Sequence, residues 1–115
     1  MRFLNVFAAL SGACGLIMLV LVAHALALEP MDGERVRTAA YLQLFAAAAG
    51  LALANRAGRL NLIAGAAILA GAALFALALY TLAIAHTPVL IVLAPVGGVA
   101  MIGGWFLLVF AKPGA

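Results

Sequence analysis

Charged residues cut the chain into uncharged stretches. Phe3 to Leu28 lies between Arg2 and Glu29, an alanine-heavy run from Thr38 to Ala54 follows Arg37, and Leu60 to Ala111 contains no Asp, Glu, Lys or Arg. A spanning helix needs about 20 apolar residues to cross a hydrocarbon core of about 30 Å, so the first stretch is long enough for one crossing and the last is far too long. His86-Thr87-Pro88 is the break in that last run: Pro88 cannot continue a helix begun before it but suits the first turn of a new one. Pro30 and the following Met31 to Glu34 read as a helix stop and turn, with Asp32 as N-cap of the second helix. Asn55 to Arg59 reads as a tight basic loop. The pattern predicts four helices near 3–28, 34–54, 60–85 and 89–111, in one transmembrane domain covering residues 1–115.

Composition settles the solvent. Of 115 residues 70% are hydrophobic and 8% charged, against about 25% charged in soluble domains, so too few polar side chains exist to cover a water-exposed surface. The expected class is all-α, an integral membrane four-helix bundle. Arg2, Arg56, Arg59 and Lys112 fall on one side of the predicted topology, and Arg35 and Arg37 on the other with Glu29, Asp32 and Glu34. That bias predicts both termini on the cytoplasmic side of a bacterial inner (plasma) membrane. The net charge of +3 does not point to nucleic acid, because no basic patch is interleaved with aromatics. Cys14 is the only cysteine, which excludes an intramolecular disulfide. "LSGAC" at 10–14 misses a lipoprotein box by one position. "ALA" at 25–27 follows an apolar stretch longer than a signal peptide's, so the first helix is expected to be retained.

Within the last run, "LAPVGGVAMIGGW" at 93–105 carries one proline and four glycines. In water each interior glycine costs about 1 kcal/mol and a proline about 3. In lipid, apolar burial does little to join helices, and small residues that let backbones approach do more. Gly97, Ala100 and Gly104 share one face, with Ala94 and Gly98 beside it. Ala67/Gly71 and Ala72/Ala76 in the third helix, and Ala8/Gly12 and Ser11/Gly15 in the first, offer matching smooth faces. Pro95 is expected inside a span, its freed carbonyl satisfied by a neighbour; a hinge or cavity at "APVGG" is the sharper alternative.

With Glu34 to Arg37 placed above the membrane, no Asp, Glu, Lys or Arg lies within the four predicted spans, which argues against an ion-coupled carrier. The polar groups that remain suggest one cluster, His24, Gln43 and Tyr80, with Gln43 reaching across to His24. His24 and His86 at similar depth form a remote haem- or metal-binding alternative, and "LVAH" at 21–24 echoes "AIAH" at 83–86. Trp105 reads as an interfacial anchor. No nucleophile–base pair, metal-ligand spacing or phosphate loop is present, so neither an enzyme nor a cofactor is expected.

"AH" at 23–24, "TAAYLQLF" at 38–45, "LFALALY" at 74–80 and "APVGGVAMIGGW" at 94–105 together resemble the YgdD/YwdK-type family of small membrane proteins, domain of unknown function 423, related to transmembrane protein 256 of eukaryotes. The resemblance covers nearly the whole chain and implies a four-helix membrane protein, with no activity, substrate or cofactor attached. This is a divergent member: the family's "GAFGAH" is here "LVLVAH", its "FSGSLY" is "FALALY", and Tyr41 and Ala46 stand where it usually carries a glutamate and a histidine. Packing elements persist while polar ones are replaced. The expected role is therefore structural or accessory, packing with itself or a larger membrane complex in the lipid bilayer. The alternative is a facilitator or carrier of a small neutral or lipophilic molecule, using a cavity near His24, Gln43, Tyr80 and Pro95.

Overall fold

A computed structural model describes residues 2–111. It contains four α-helices, α1 (Arg2–His24), α2 (Pro30–Ala54), α3 (Arg59–Ala85) and α4 (Leu93–Phe110), with a short 3-10 turn, Pro88–Leu90, before the last. The all-α class is as expected, and each helix, α4 taken with its leading turn, is long and apolar enough to cross a membrane. At 1.5 Å per residue the 23 residues of α1 reach about 34 Å, slightly more than a hydrocarbon core.

Three boundaries differ from expectation, and prolines explain two of them. Pro30 starts α2 rather than stopping α1: at the first helical position its missing N–H would have had no partner anyway, and its fixed φ suits the helix. Glu29, not Asp32, is the N-cap, with no side-chain cap bond. Asp32 instead sits inside the first turn and takes a 2.8 Å ion pair from Arg35. The helix α1 ends at His24 rather than near residue 28 because the Leu21 carbonyl accepts from both Ala25 and Leu26, at 2.8 and 2.7 Å, closing the ladder. Residues preceding a proline favour extended backbone, and Glu29 has it, at φ −56°, ψ 150°.

At the other end, α4 begins at Leu93 rather than near 89. A helix running through 89–95 would lose the bond from residue 95 to the Ile91 carbonyl. The observed start places Pro95 in the first turn, and the Ile91 carbonyl accepts from Ala94 at 3.1 Å instead. Pro95 is thus an exposed residue of the first turn of α4, within the candidate span Pro88–Phe110 as expected.

The helices pack in chain order: α1 along α2, α2 along α3, and α3 along α4. A lighter α1–α3 contact closes the first three around Leu4, Ala8, Ala46, Leu53, Ala64, Ile68, Leu69 and Ala72. α4 leans almost entirely on α3. The four-helix bundle is therefore open on one side. Its central helices α2 and α3 are the most buried, while α1 and α4 turn Phe3, Leu10, Val99, Phe106 and Phe110 outward.

Missing side chains bring these helices together. A Cβ on Gly71 would stand 2.5 Å from the Gly97 carbonyl oxygen, and one on Gly97 would strike the Gly71 carbonyl and lie 2.8 Å from the Phe75 nitrogen. One on Gly104 would be 2.9 Å from the Ala64 carbonyl. Gly15 meets the Ala40 carbonyl of α2 at 2.9 Å, and Gly50 meets Leu69 and Ala8. By contrast, Gly98 and Gly103 have nothing within 4 Å of the added atom. The face containing Gly97 and Gly104 is the docking face of α4, and Gly98 is off it.

These contacts set opposite expectations for neighbouring glycines. Gly97→Leu should destabilise the folded protein by about 1–3 kcal/mol or more through overpacking. Gly98→Ala should be neutral or stabilise by up to about 1 kcal/mol through lower chain entropy. Unfolding in mixed micelles measures both, and equal losses at the two sites would contradict the arrangement.

Candidate functional site

The candidate polar cluster assembles only in part. Gln43, midway along α2, is 5% exposed. The Tyr80 hydroxyl, from the last third of α3, donates to its Oε1 at 2.6 Å. This is the one side-chain hydrogen bond between helices among the described residues. His24 stands apart, exposed at the end of α1, without the expected bond from Gln43. The register explains the miss: Gln43 packs against Gly15, with 3.4 Å between its Cβ and the one Gly15 lacks. Gly15 is nine residues, about 13 Å, below His24 along α1.

His86 is also exposed and caps α3 in the left-handed region, φ 53°. Its N–H meets the Thr81 carbonyl, as does that of Thr87 at 3.1 Å. Glycine usually fills such a position and histidine tolerates it better than most. No group of three or more His, Cys, Asp or Glu side chains placed to hold a metal occurs among the described residues. Thr81 is occupied locally, its hydroxyl bonding the Leu77 carbonyl at 2.8 Å.

Ser11 and Asn61 are the buried polar residues that reading the spans for a site did not single out. Ser11 belongs to the buried face of α1 with Leu4, Ala8 and Gly15, and is 5% exposed. Its spacing of four from Gly15 marks that face in the sequence, but a serine beside small residues reads first as packing. Asn61 donates to the Ala57 carbonyl at 2.9 Å, tying α3 to the preceding loop. That loop turns at Gly58, whose φ of 109° suits glycine alone.

A second feature lies on the other side of α2. Leu42, Phe45, Ala46, Ala48 and Ala49, with Ile68 beneath and Met101 and Trp105 of α4 opposite, line an apolar groove of ≈ 510 Å³. It forms because α4 docks on α3 and leaves α2 uncovered. None of His24, Gln43, Tyr80 or Pro95 lines it, so the four residues expected around one carrier cavity do not surround this space.

The fold and its groups define a multi-pass membrane protein of four candidate spans, with one interhelical polar contact in its interior. The chain belongs to the family described as protein of unknown function (DUF423), whose profile matches residues 11–98. The match takes in Ser11, Gln43, Tyr80 and the Gly71–Gly97 contact, and ends before Gly104 and Trp105. No curated protein and no solved structure matches the chain.

The Tyr80–Gln43 bond should contribute what interhelical hydrogen bonds in membranes usually do, about 0.6 kcal/mol and at most about 1.7. Tyr80→Phe and Gln43→Leu, alone and combined, measured by unfolding in micelles, should show a coupling of that size; additive losses would contradict the bond.

Proposed function

We propose that this chain is a structural or accessory protein of the bacterial inner membrane, packing with another membrane protein or with itself, and carrying out no reaction of its own. The observation that supports it most is the open side of the bundle. Phe45 and Trp105 stand at the groove as exposed aromatic walls, and Ala46, Ala48 and Ala49 make its α2 side smooth. Gly98, one turn above Met101 on α4, meets nothing within the chain. Small residues let helices approach closely in lipid, and here Ala48 and Ala49 line a space bounded by α2, α3 and α4.

The polar inventory supports a non-catalytic role. Ionisable side chains of the described residues stand at the helix ends, apart from the lipid-exposed Cys14 and the tyrosines. In the proposed orientation Arg2, Arg56 and Arg59 face the cytoplasm and both termini lie inside; Lys112, which would join them, is outside the described residues. Reporter fusions at either terminus should be active only as cytoplasmic reporters, and periplasmic activity would reverse the assignment.

The role is tested by purifying the tagged protein from its own host in a mild detergent and weighing the intact complex by native mass spectrometry. A stoichiometric partner or a defined oligomer, lost on Ala49→Trp, is the expected result. A monodisperse monomer free of partners would overturn the reading.

A further inference from the structure

The apolar groove between α2 and α4 ends on a cationic residue. Its α2 wall, Leu42, Phe45, Ala46 and Ala49, recurs at the three- and four-residue steps that keep to one helix face. Ala52 and Arg56 continue that series. The Asn55 and Arg56 N–H groups bond the Ala52 and Leu53 carbonyls, at 3.3 and 3.0 Å, so the chain keeps winding through Arg56. Arg56 therefore extends the groove face about 10 Å beyond Ala49 at 1.5 Å per residue. The glycine contacts set the depth of the facing wall. Gly50 meets Leu69 and Gly104 meets Ala64; counted along antiparallel helices, Arg56 and Trp105 stand at about the same level. Trp105 lines the groove, is half-exposed, and its indole N–H has no acceptor among the described residues. Arg56 is half-buried and joins no ion pair among those residues either. Glu29, Asp32 and Glu34, all of the chain's acidic side chains, lie at the other end of the bundle, while Arg2, Arg56 and Arg59 share this one.

We propose that the groove holds an anionic phospholipid of the surrounding bilayer, with one acyl chain along the apolar walls and the phosphate against Arg56. Charge complementarity carries the choice. A cationic end with no carboxylate of its own draws a phosphate, and basic clefts between membrane helices are recurrent headgroup sites. The Trp105 N–H supplies a donor to the lipid's ester or phosphate oxygens, at the level where indoles favour the interface. The groove, ≈ 510 Å³ with an apolar lining, takes an aliphatic chain and nothing charged. Arg59 stands outside the site: it precedes Ile68, the α3 floor of the groove, by about two and a half turns and so falls on the opposite face of α3. The proposal rests on the packing reading in sharing its groove, the lipid being the filling over which another protein closes the open side. Lipid preference and oligomeric state are read in separate experiments, so either can fail alone.

Trp105 is the only tryptophan, which makes its fluorescence a reporter of the groove. The test uses the full chain reconstituted in vesicles that mix phosphatidylglycerol and phosphatidylcholine, with bromine on an acyl chain of one lipid or the other as quencher. Quenching against mole fraction gives the relative affinity of the two headgroups beside Trp105. Phosphatidylglycerol should bind about three- to tenfold more strongly, the range that one arginine near the membrane surface supports. Arg56→Gln should abolish the preference, and Arg59→Gln should leave it unchanged. Ala49→Phe, which fills the groove and keeps every charge, should also reduce it. Equal affinity for the two lipids in the parent chain would overturn the proposal. So would an equal fall with Arg56→Gln and Arg59→Gln, which would assign the preference to diffuse surface charge.

Discussion

The approach of two backbones at Gly71 and Gly97 is the constraint on which the arrangement rests. Lipid tails solvate an apolar side chain as well as another helix does, so a helix in a bilayer gains little by hiding leucines. It gains by bringing many atoms into contact, and that requires the axes to come close. With carbonyl oxygens meeting at the space left by absent side chains, α4 has a support it gains nowhere else, since it leans on α3 almost alone. The same device recurs where Gly15 meets α2 and Gly50 meets α1 and α3. Glycines that would weaken a soluble helix are here the means of assembly.

A consequence is that the molecule has two unlike sides sharing α2 as a wall. Toward α1 and Tyr80 lies a narrow polar seam; toward α4 lies a wide apolar groove. Both follow from docking α4 on α3 rather than across α2. Polar groups elsewhere are either held by their own helix, as at Thr81 and Asn55, or placed at the ends, as in the Asp32–Arg35 pair. That economy is what a bilayer imposes on any polar atom it surrounds.

Four helices, their order and their smooth faces were legible from the spacing of charges and small residues. Gly97 and Gly104 could be paired as one face because seven residues make nearly two turns. Pro30 and Pro95 were harder, because a proline ends one helix and opens another with the same ring; only the fate of the neighbouring carbonyls, Glu29 accepting from Gly33 and Ile91 accepting from Ala94, distinguishes the two. The polar cluster was half legible. Tyr80 and Gln43 meet, but His24 was assigned by its chemistry without the register that puts Gly15 opposite Gln43. Gly98 looked like a packing residue and is one only if something outside the chain covers it.

The most direct test of the account is the stability, by unfolding in mixed micelles, of Gly104→Ala against Gly103→Ala. A Cβ at Gly104 would lie 2.9 Å from the Ala64 carbonyl oxygen of α3, whereas one at Gly103 meets nothing within 4 Å. Gly104→Ala should therefore destabilise the protein by about 1–3 kcal/mol through overpacking, while Gly103→Ala should not. A loss at 103 and not at 104 would mean that α4 presents a different face to α3, and the small-residue contact would not be what holds it.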